Sequence, residues 1–258
     1  MLHKDTKISG IIPVIGFGTW NIHGQKCIDS VQNAIETGYH HIDTAQIYNN
    51  EEEVGKGIKK TNIRRDNVFI TTKISMNHLT PGRIESSVHQ SLEKLNTGYV
   101  DLLLIPWPTP DIDLEACLEV MFKMKDDNYV KHVGVSNFEP KLFKKALQFG
   151  PVVTNQVKFS PLNGQFENLE IAKENNISLT AYSPLERGRL TNNKILNRIG
   201  KKYNKTASQV LLRWLIQWGN VSVIPKAASE KHRKENIDIF DFELSDEDVK
   251  EINEVGNR

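Results

Sequence analysis

Short apolar runs alternate along nearly the whole chain with stretches in which apolar positions recur every three or four residues. The runs read as buried strands and the longer stretches as amphipathic helices. Strands are predicted at 14–18, 39–42, 68–72, 100–105, 130–135, 152–156, 177–181 and 221–224. Helices are predicted at 27–36 (ended by Gly38), 51–60, 81–95, 114–125, 140–150 and 166–175, with two more before the last strand. Thr80-Pro81 places a capping oxygen before a proline at a first helical position, and Thr206…Gln209 has the spacing of a capping box. Ser245-Asp246-Glu247-Asp248 opens a short C-terminal helix that ends before Gly256. Ahead of the first strand, the apolar pieces around Ser9-Gly10, with Pro13 nearby, predict a small β-hairpin or plug.

Eight strand–helix alternations without a long linker favour a closed (β/α)8 TIM barrel over an open doubly wound sheet. The 258 residues suit one such barrel, which needs ~250, so a single domain over 1–258 is expected. No internal repeat or low-complexity segment interrupts it.

Composition narrows the function classes rather than the fold. A net charge of +1 gives no field to gather nucleic acid or an anionic membrane, so neither is expected as a partner. Cys27 and Cys117 have no paired spacing, which reads as two ordinary thiols in a reducing compartment. The start, Met1 to Lys7, is polar with no apolar region of a signal peptide behind it, and no apolar run approaches the ~18 residues of a membrane helix. The expected location is the cytoplasm, and a monomer is expected.

Barrel enzymes carry their chemistry at the C-terminal ends of the strands, so those positions are the ones to read. In order they supply Gly18-Thr19-Trp20, Asp43 with Tyr48, Lys73, Pro106-Trp107, Ser136-Asn137, Asn155-Gln156, Tyr182-Ser183 and Pro225-Lys226. Asp43, Tyr48 and Lys73 make chemical sense together. A phenol gives its proton to a developing alkoxide, a neighbouring ammonium lowers the phenol's pKa, and a carboxylate keeps that buried ammonium charged. The bland alternative is an ion pair between adjacent strands with Tyr48 as a loop anchor. Trp20, Tyr48 and Trp107 would wall the substrate pocket, although isolated aromatics are as often core.

These residues resemble the aldo-keto reductases. The resemblance rests on Asp43-Thr44-Ala45 with Tyr48 and Asn50-Glu51, Ile70-Thr71-Thr72-Lys73, Asp101 to Ile105 with Trp107-Pro108, Gly134 to Phe138, and Ile224-Pro225-Lys226, in the family's order. Asp43 to Tyr48 is most similar to the bacterial 2,5-diketo-gluconate and methylglyoxal reductases. The resemblance implies NADPH-dependent reduction of small aldehydes, ketones or α-dicarbonyls, with Tyr48 as general acid. It assigns Ser136, Asn137 and Gln156 to the nicotinamide carboxamide and Tyr182 to stacking on its ring. Gly18, Thr19, Trp20, Asp43, Ser183, Pro184 and Leu185 would line the cofactor, Lys226 and His232 would face the ribose phosphate, and Glu235 and Asn236 the adenine. Where the family often has Ser after the lysine and Arg six positions on, this chain has Ala227 and His232, with Arg233 one place later. Fewer fixed phosphate donors leave NADH possible beside NADPH.

One departure stands out. The family carries a histidine where this chain has Pro106, and proline has neither an N–H nor a side-chain donor to offer a substrate carbonyl. Losing one such donor costs on the order of 100-fold in rate, so the reductase is expected to be weakened or retuned. His78 and His23 are the loop histidines within possible reach, though a lone loop histidine is ordinarily exposed. The chain stops at Arg258, without the long C-terminal loop that closes the pocket in many members, so an open pocket is expected.

Three other readings compete. Gly16-Phe17-Gly18-Thr19-Trp20-Asn21 lacks the third glycine of a dinucleotide fingerprint. His41 with Asp43 would begin a metal-dependent hydrolase, but the other strand ends supply no matching ligands, so no metal is expected. The third is a catalytically impaired NADP(H)-binding sensor or binding module, which predicts cofactor binding without carbonyl-dependent oxidation.

Overall fold

A computed structural model describes residues 3–109 and 112–257; Met1 and Leu2 of the polar start, Pro110, Asp111 and the chain end at Arg258 lie outside them. A short antiparallel hairpin, β1 (Lys7–Ile8) and β2 (Ile12–Pro13), precedes the main sheet. Eight parallel strands follow: β3 (Phe17–Gly18), β4 (His41–Asp43), β5 (Phe69–Lys73), β6 (Val100–Ile105), β7 (Val130–Ser136), β8 (Val152–Lys158), β9 (Ser178–Tyr182) and β10 (Val221–Ile224). Each pairs with the next in chain order, and an Ile15–Val223 bridge joins the last to the first. The Gly16 N–H to Val223 carbonyl bond, 2.8 Å, completes the seam. The chain is therefore a (β/α)8 barrel with an N-terminal hairpin.

Helices α1 (Gly24–Thr37), α2 (Glu51–Lys60), α3 (Pro81–Leu95), α4 (Leu114–Asp126), α5 (Pro140–Phe149), α6 (Phe166–Glu174), α7 (Lys194–Tyr203), α8 (Ala207–Gln217), α9 (Glu230–Ile237) and α10 (Asp246–Asn253) surround the strands. Their apolar stripes meet the outward side chains of the sheet in one continuous core. Gly57 lets α2 lie close on α1, since a Cβ there would sit 2.7 Å from the Val31 Cβ. The Thr206–Gln209 capping box forms with both reciprocal bonds, and Ser245 caps α10 by accepting from the Asp248 N–H. Thr80 departs from expectation. It occupies the N-cap of α3, but its side chain makes no cap bond, and Pro81 alone sets the helix start.

The strand period of two turns alternate residues inward. Ile12, from the hairpin, forms an apolar cluster inside the barrel with Phe69, Leu102 and Leu104. Above lies a polar layer, in which His41 Nε2 is 2.9 Å from Thr71 Oγ1 and Thr154 Oγ1 is 2.9 Å from Thr180 Oγ1. Gly16 belongs to this layer, because any Cβ there would fall 2.5 Å from His41 Nδ1. His41 is fully buried and Nδ1 has no partner, so burial first, and the Lys73 charge second, pull its pKa down to about 3. The layer above it is charged.

Candidate active site

Asp43 and Lys73 are the last residues of adjacent strands β4 and β5. Both are buried, and Lys73 Nζ is 2.6 Å from Asp43 Oδ1 and 2.8 Å from the Thr44 carbonyl. Gln156, near the end of β8, donates to the other carboxylate oxygen at 2.7 Å. Asp43 thus has its two oxygens held from opposite sides of the barrel. Burial opposes charge on Lys73, but Asp43 and Tyr48 outweigh it and raise its pKa, so the ammonium stays charged.

Tyr48 ends the 3-10 turn Gln46–Tyr48 that follows β4, and its ring centroid lies 5.0 Å from Lys73 Nζ. Sequence reasoning expected the ammonium to lower the phenol's pKa. Lys73 does act in that direction, but burial of the phenol is the larger effect and leaves the pKa raised. Depth of burial is what the sequence could not show.

The turn is braced from behind. Asn50 Nδ2 donates to the Thr19 and Ile22 carbonyls at 3.0 and 2.9 Å, and its Oδ1 accepts from Thr44 Oγ1 at 2.7 Å. Glu51 accepts from Thr72 Oγ1 at 2.6 Å, its carboxyl raised by burial. Thr19 gives both its N–H and its hydroxyl to the Asp43 carbonyl, at 3.0 and 2.9 Å.

Across the mouth, Ser136 Oγ donates to the Gln156 carbonyl at 2.7 Å. Asn137 takes a left-handed backbone, φ 60°, which Asn tolerates better than most residues. Its Nδ2 donates to Ser136 Oγ at 3.0 Å and to the Pro106 carbonyl at 2.8 Å, while its Oδ1 accepts from the Tyr182 hydroxyl at 2.9 Å. Pro106 is buried directly past β6. Neither loop histidine takes over its missing donor. His78 Nδ1 lies 3.2 Å from Gln46 Oε1, which also accepts from the Ser75 N–H, and His23 is exposed at the start of α1.

Large apolar side chains are exposed at this end: Trp20, Ile47, Met76 and Trp107, each in a loop that follows a strand. Such a rim is what a pocket for a partly apolar ligand needs. Farther out, Lys226 and His232 are exposed and Glu235 half-buried. Asn236 is buried with its Nδ2 unpartnered, a donor suited to a heteroaromatic ring nitrogen. Arg233 points the other way, into the fold, where it donates to Asn33 Oδ1 at 2.7 Å and to the Ala227 carbonyl at 3.1 Å. It is committed to joining α9 to α1.

Among the described residues no three His, Cys, Asp or Glu side chains converge as metal ligands would, and no helix is long and apolar enough to cross a membrane. Cys27 and Cys117 are both free and buried.

Two groups of bonds here were not anticipated. One is the Asn50 brace behind Tyr48; the other joins Glu186, in the loop after β9, to Lys158 at the end of β8 and to Ser160 and Asn163 just past it. Asn50 was visible as part of a motif, whereas the Glu186 cluster left no local signal.

Residues 14–257 match the family described as Aldo/keto reductase family. The chain is 40% identical over 246 residues to a glyoxal reductase of Bacillus subtilis, covering 93% of this chain and 88% of that protein. It is 35% identical over 246 residues to the methylglyoxal reductase DkgB of Escherichia coli O157:H7, covering 93% and 92%. A solved structure of a protein designated a candidate 2,5-diketo-D-gluconic acid reductase B superimposes with a TM-score of 0.94 at 37% identity, covering 99% of this chain and 92% of that one.

Proposed function

The chain belongs to the aldo/keto reductase family and is an oxidoreductase, and from that premise we propose that it reduces small aldehydes and α-dicarbonyls, with Tyr48 as the proton donor. The observation that carries this reading is the buried Asp43–Lys73 pair, 2.6 Å apart, beneath the Tyr48 ring. Names of relatives that act on glyoxal and methylglyoxal support the substrate class.

Residues for a nicotinamide cofactor are present. Ser136, Asn137 and Gln156 offer hydroxyl and amide groups to a carboxamide, Tyr182 a ring face, and the orphaned Asn236 Nδ2 a donor to adenine. Gly18, Thr19, Trp20, Asp43, Ser183, Pro184 and Leu185 would line the cofactor, and Lys226 and His232 would face its ribose phosphate. A reduced nicotinamide, when bound, supplies a hydride to the carbonyl carbon.

The chain's own residues handle the proton. Tyr48 gives its phenolic proton to the carbonyl oxygen as negative charge develops there. Lys73 stabilises the phenolate left behind, and Asp43 keeps the ammonium charged and in place. Gln156 and the Thr44 carbonyl fix the pair, so little reorganisation accompanies transfer. Water then restores the phenol. Pro106 contributes no side-chain donor, so the carbonyl oxygen is held by Tyr48 with less help than an added donor would give. Turnover of unactivated ketones is therefore slow, while reactive α-dicarbonyls remain substrates.

NADPH is favoured through Lys226, with NADH also accepted, because Arg233 is spent inside the fold. The same Pro106 favours one alternative, a cofactor-binding sensor without turnover. Loss of NADPH absorbance on adding methylglyoxal separates the two. No turnover at saturating cofactor would sink the enzyme reading.

A further inference from the structure

The loop after β9 holds a backbone that costs energy. Ser183, Glu186 and Arg187 have φ values of 48°, 47° and 55°, left-handed at three residues that are not glycine. Each is an uncommon conformation for a residue with a Cβ and persists only where surroundings impose it.

Glu186 supplies the constraint. It is buried; its Oε1 accepts from Ser160 Oγ and Asn163 Nδ2, each at 2.7 Å, and its Oε2 lies 3.1 Å from Lys158 Nζ. Burial pushes the carboxyl's pKa up, yet these partners outweigh it and keep the pKa low, so Glu186 is an ionised anchor on the exit of β8. With Glu186 pinned inward, the next residue is carried out over the mouth.

Arg187 places its guanidinium carbon 4.5 Å from the Trp20 ring centroid. Trp20 follows Thr19, which is fixed to the Asp43 carbonyl by two bonds. The guanidinium is exposed, and among the described residues no carboxylate pairs with it. Its charge also reaches Tyr182, the phenol that holds Asn137. A guanidinium lying on an aromatic face uses its flat side there, which leaves its N–H edges free.

We propose that Arg187 is the specificity-determining residue of this reductase, binding the carboxylate of an oxo-acid substrate while the carbonyl lies at Tyr48. The assignment rests on the reductase reading above. It also answers a need created at Pro106: with no donor from that side chain, the carbonyl must be oriented from elsewhere in the substrate. A guanidinium–carboxylate contact is two-pointed and fixes direction as well as position.

The test compares oxo-acids of graded length with their methyl esters, which lack the negative charge, at saturating NADPH, and reads the change in the acid-to-ester ratio between variants so that intrinsic reactivity cancels. In the natural chain the preferred acid should exceed its ester in kcat/KM. In Arg187→Gln that acid-to-ester ratio should fall on the order of 10-fold or more, with part of it restored in Arg187→Lys. An unmoved ratio overturns the proposal. So does an equal fall for acid and ester with a raised KM for NADPH, since Arg187 would then be serving the cofactor. If neither acid nor ester is reduced, the reductase reading fails, and fluorescence still decides the role of Arg187. Titration of the cofactor-loaded chain with succinate should change tryptophan emission saturably, and the change should vanish in Trp20→Phe and in Arg187→Gln. Absence of that response in the natural chain overturns the anion site.

Discussion

The side-chain amide of Asn137 donates to the backbone carbonyl of Pro106 at 2.8 Å. Residue 106 is thus fastened to the neighbouring strand end through an atom that every amino acid carries. Restoring a histidine there leaves the fastening available and adds a donor at the mouth. We expect Pro106→His to raise kcat/KM for unactivated ketones on the order of 100-fold, with a smaller gain for methylglyoxal. Steady-state kinetics on both substrates check this, and an equal gain on both would remove position 106 as the source of selectivity.

Tyr48→Phe should lower kcat by about 100- to 10,000-fold. Because burial raises the phenol's pKa above its ordinary value of 10.0, the phenol stays protonated throughout the neutral range, and reduction should show no loss from Tyr48 ionisation below pH 10. A pH–rate profile with a fall near neutrality that disappears in Tyr48→Phe would contradict this. Lys73→Met should lower kcat as well, and it leaves Asp43 buried without its cation, at a cost of about 3–5 kcal/mol in stability. Thermal melts run beside the kinetics separate the two losses.

His41 makes stability depend on pH. Its native pKa is about 3 against an ordinary 6.5, so between those values the unfolded chain binds a proton that the native barrel excludes. Stability therefore rises with pH through that window and is unaffected by His41 above it, amounting to about 2 kcal/mol lost on going from pH 7 to pH 5. Glu51, raised by burial, acts in the opposite sense. Urea melts at the two pH values should show a steeper loss in the natural chain than in His41→Asn, where Glu51 is common to both. Parallel losses would mean that His41 is protonated in the native state.

In the proposed reading, cofactor choice turns on α9. Arg233 faces α1, and exposed His232 stands where an arginine would face a ribose phosphate. His232→Arg should raise the NADPH-to-NADH ratio of kcat/KM on the order of 10-fold. Arg233→Lys should instead lower the melting temperature while leaving that ratio within twofold.

Much of this was legible in the chain. Glu51–Lys60 and Pro81–Leu95 are the helices that periodicity predicts, and Val100–Ile105 and Val221–Ile224 the strands, because apolar spacing and proline punctuation act locally. Asp43, Tyr48 and Lys73 were readable as a set because each lies just beyond an apolar run. Helix α9 was not identified as an element, since its inward positions are Arg233 and Asn236 rather than an apolar stripe. The raised phenol of Tyr48 depends on packing depth, and the Arg187–Trp20 contact joins loops far apart in the chain. Neither leaves a trace in local pattern.

The hairpin that carries Ile12 has a wider effect than stopping one end of the barrel. Ile12, Phe69, Leu102 and Leu104 form a buried apolar cluster inside the barrel, whose side chains offer water no hydrogen bond, so entry to the charged layer past the hairpin is disfavoured. Ile12→Ala should let His41 titrate closer to 6.5, which NMR of the imidazole would record. In the intact protein the interior is a well rather than a pipe. On the proposed mechanism, substrate, product and the proton that reloads Tyr48 would all cross the same rim, so the phenol would wait for the alcohol to leave before it could be used again.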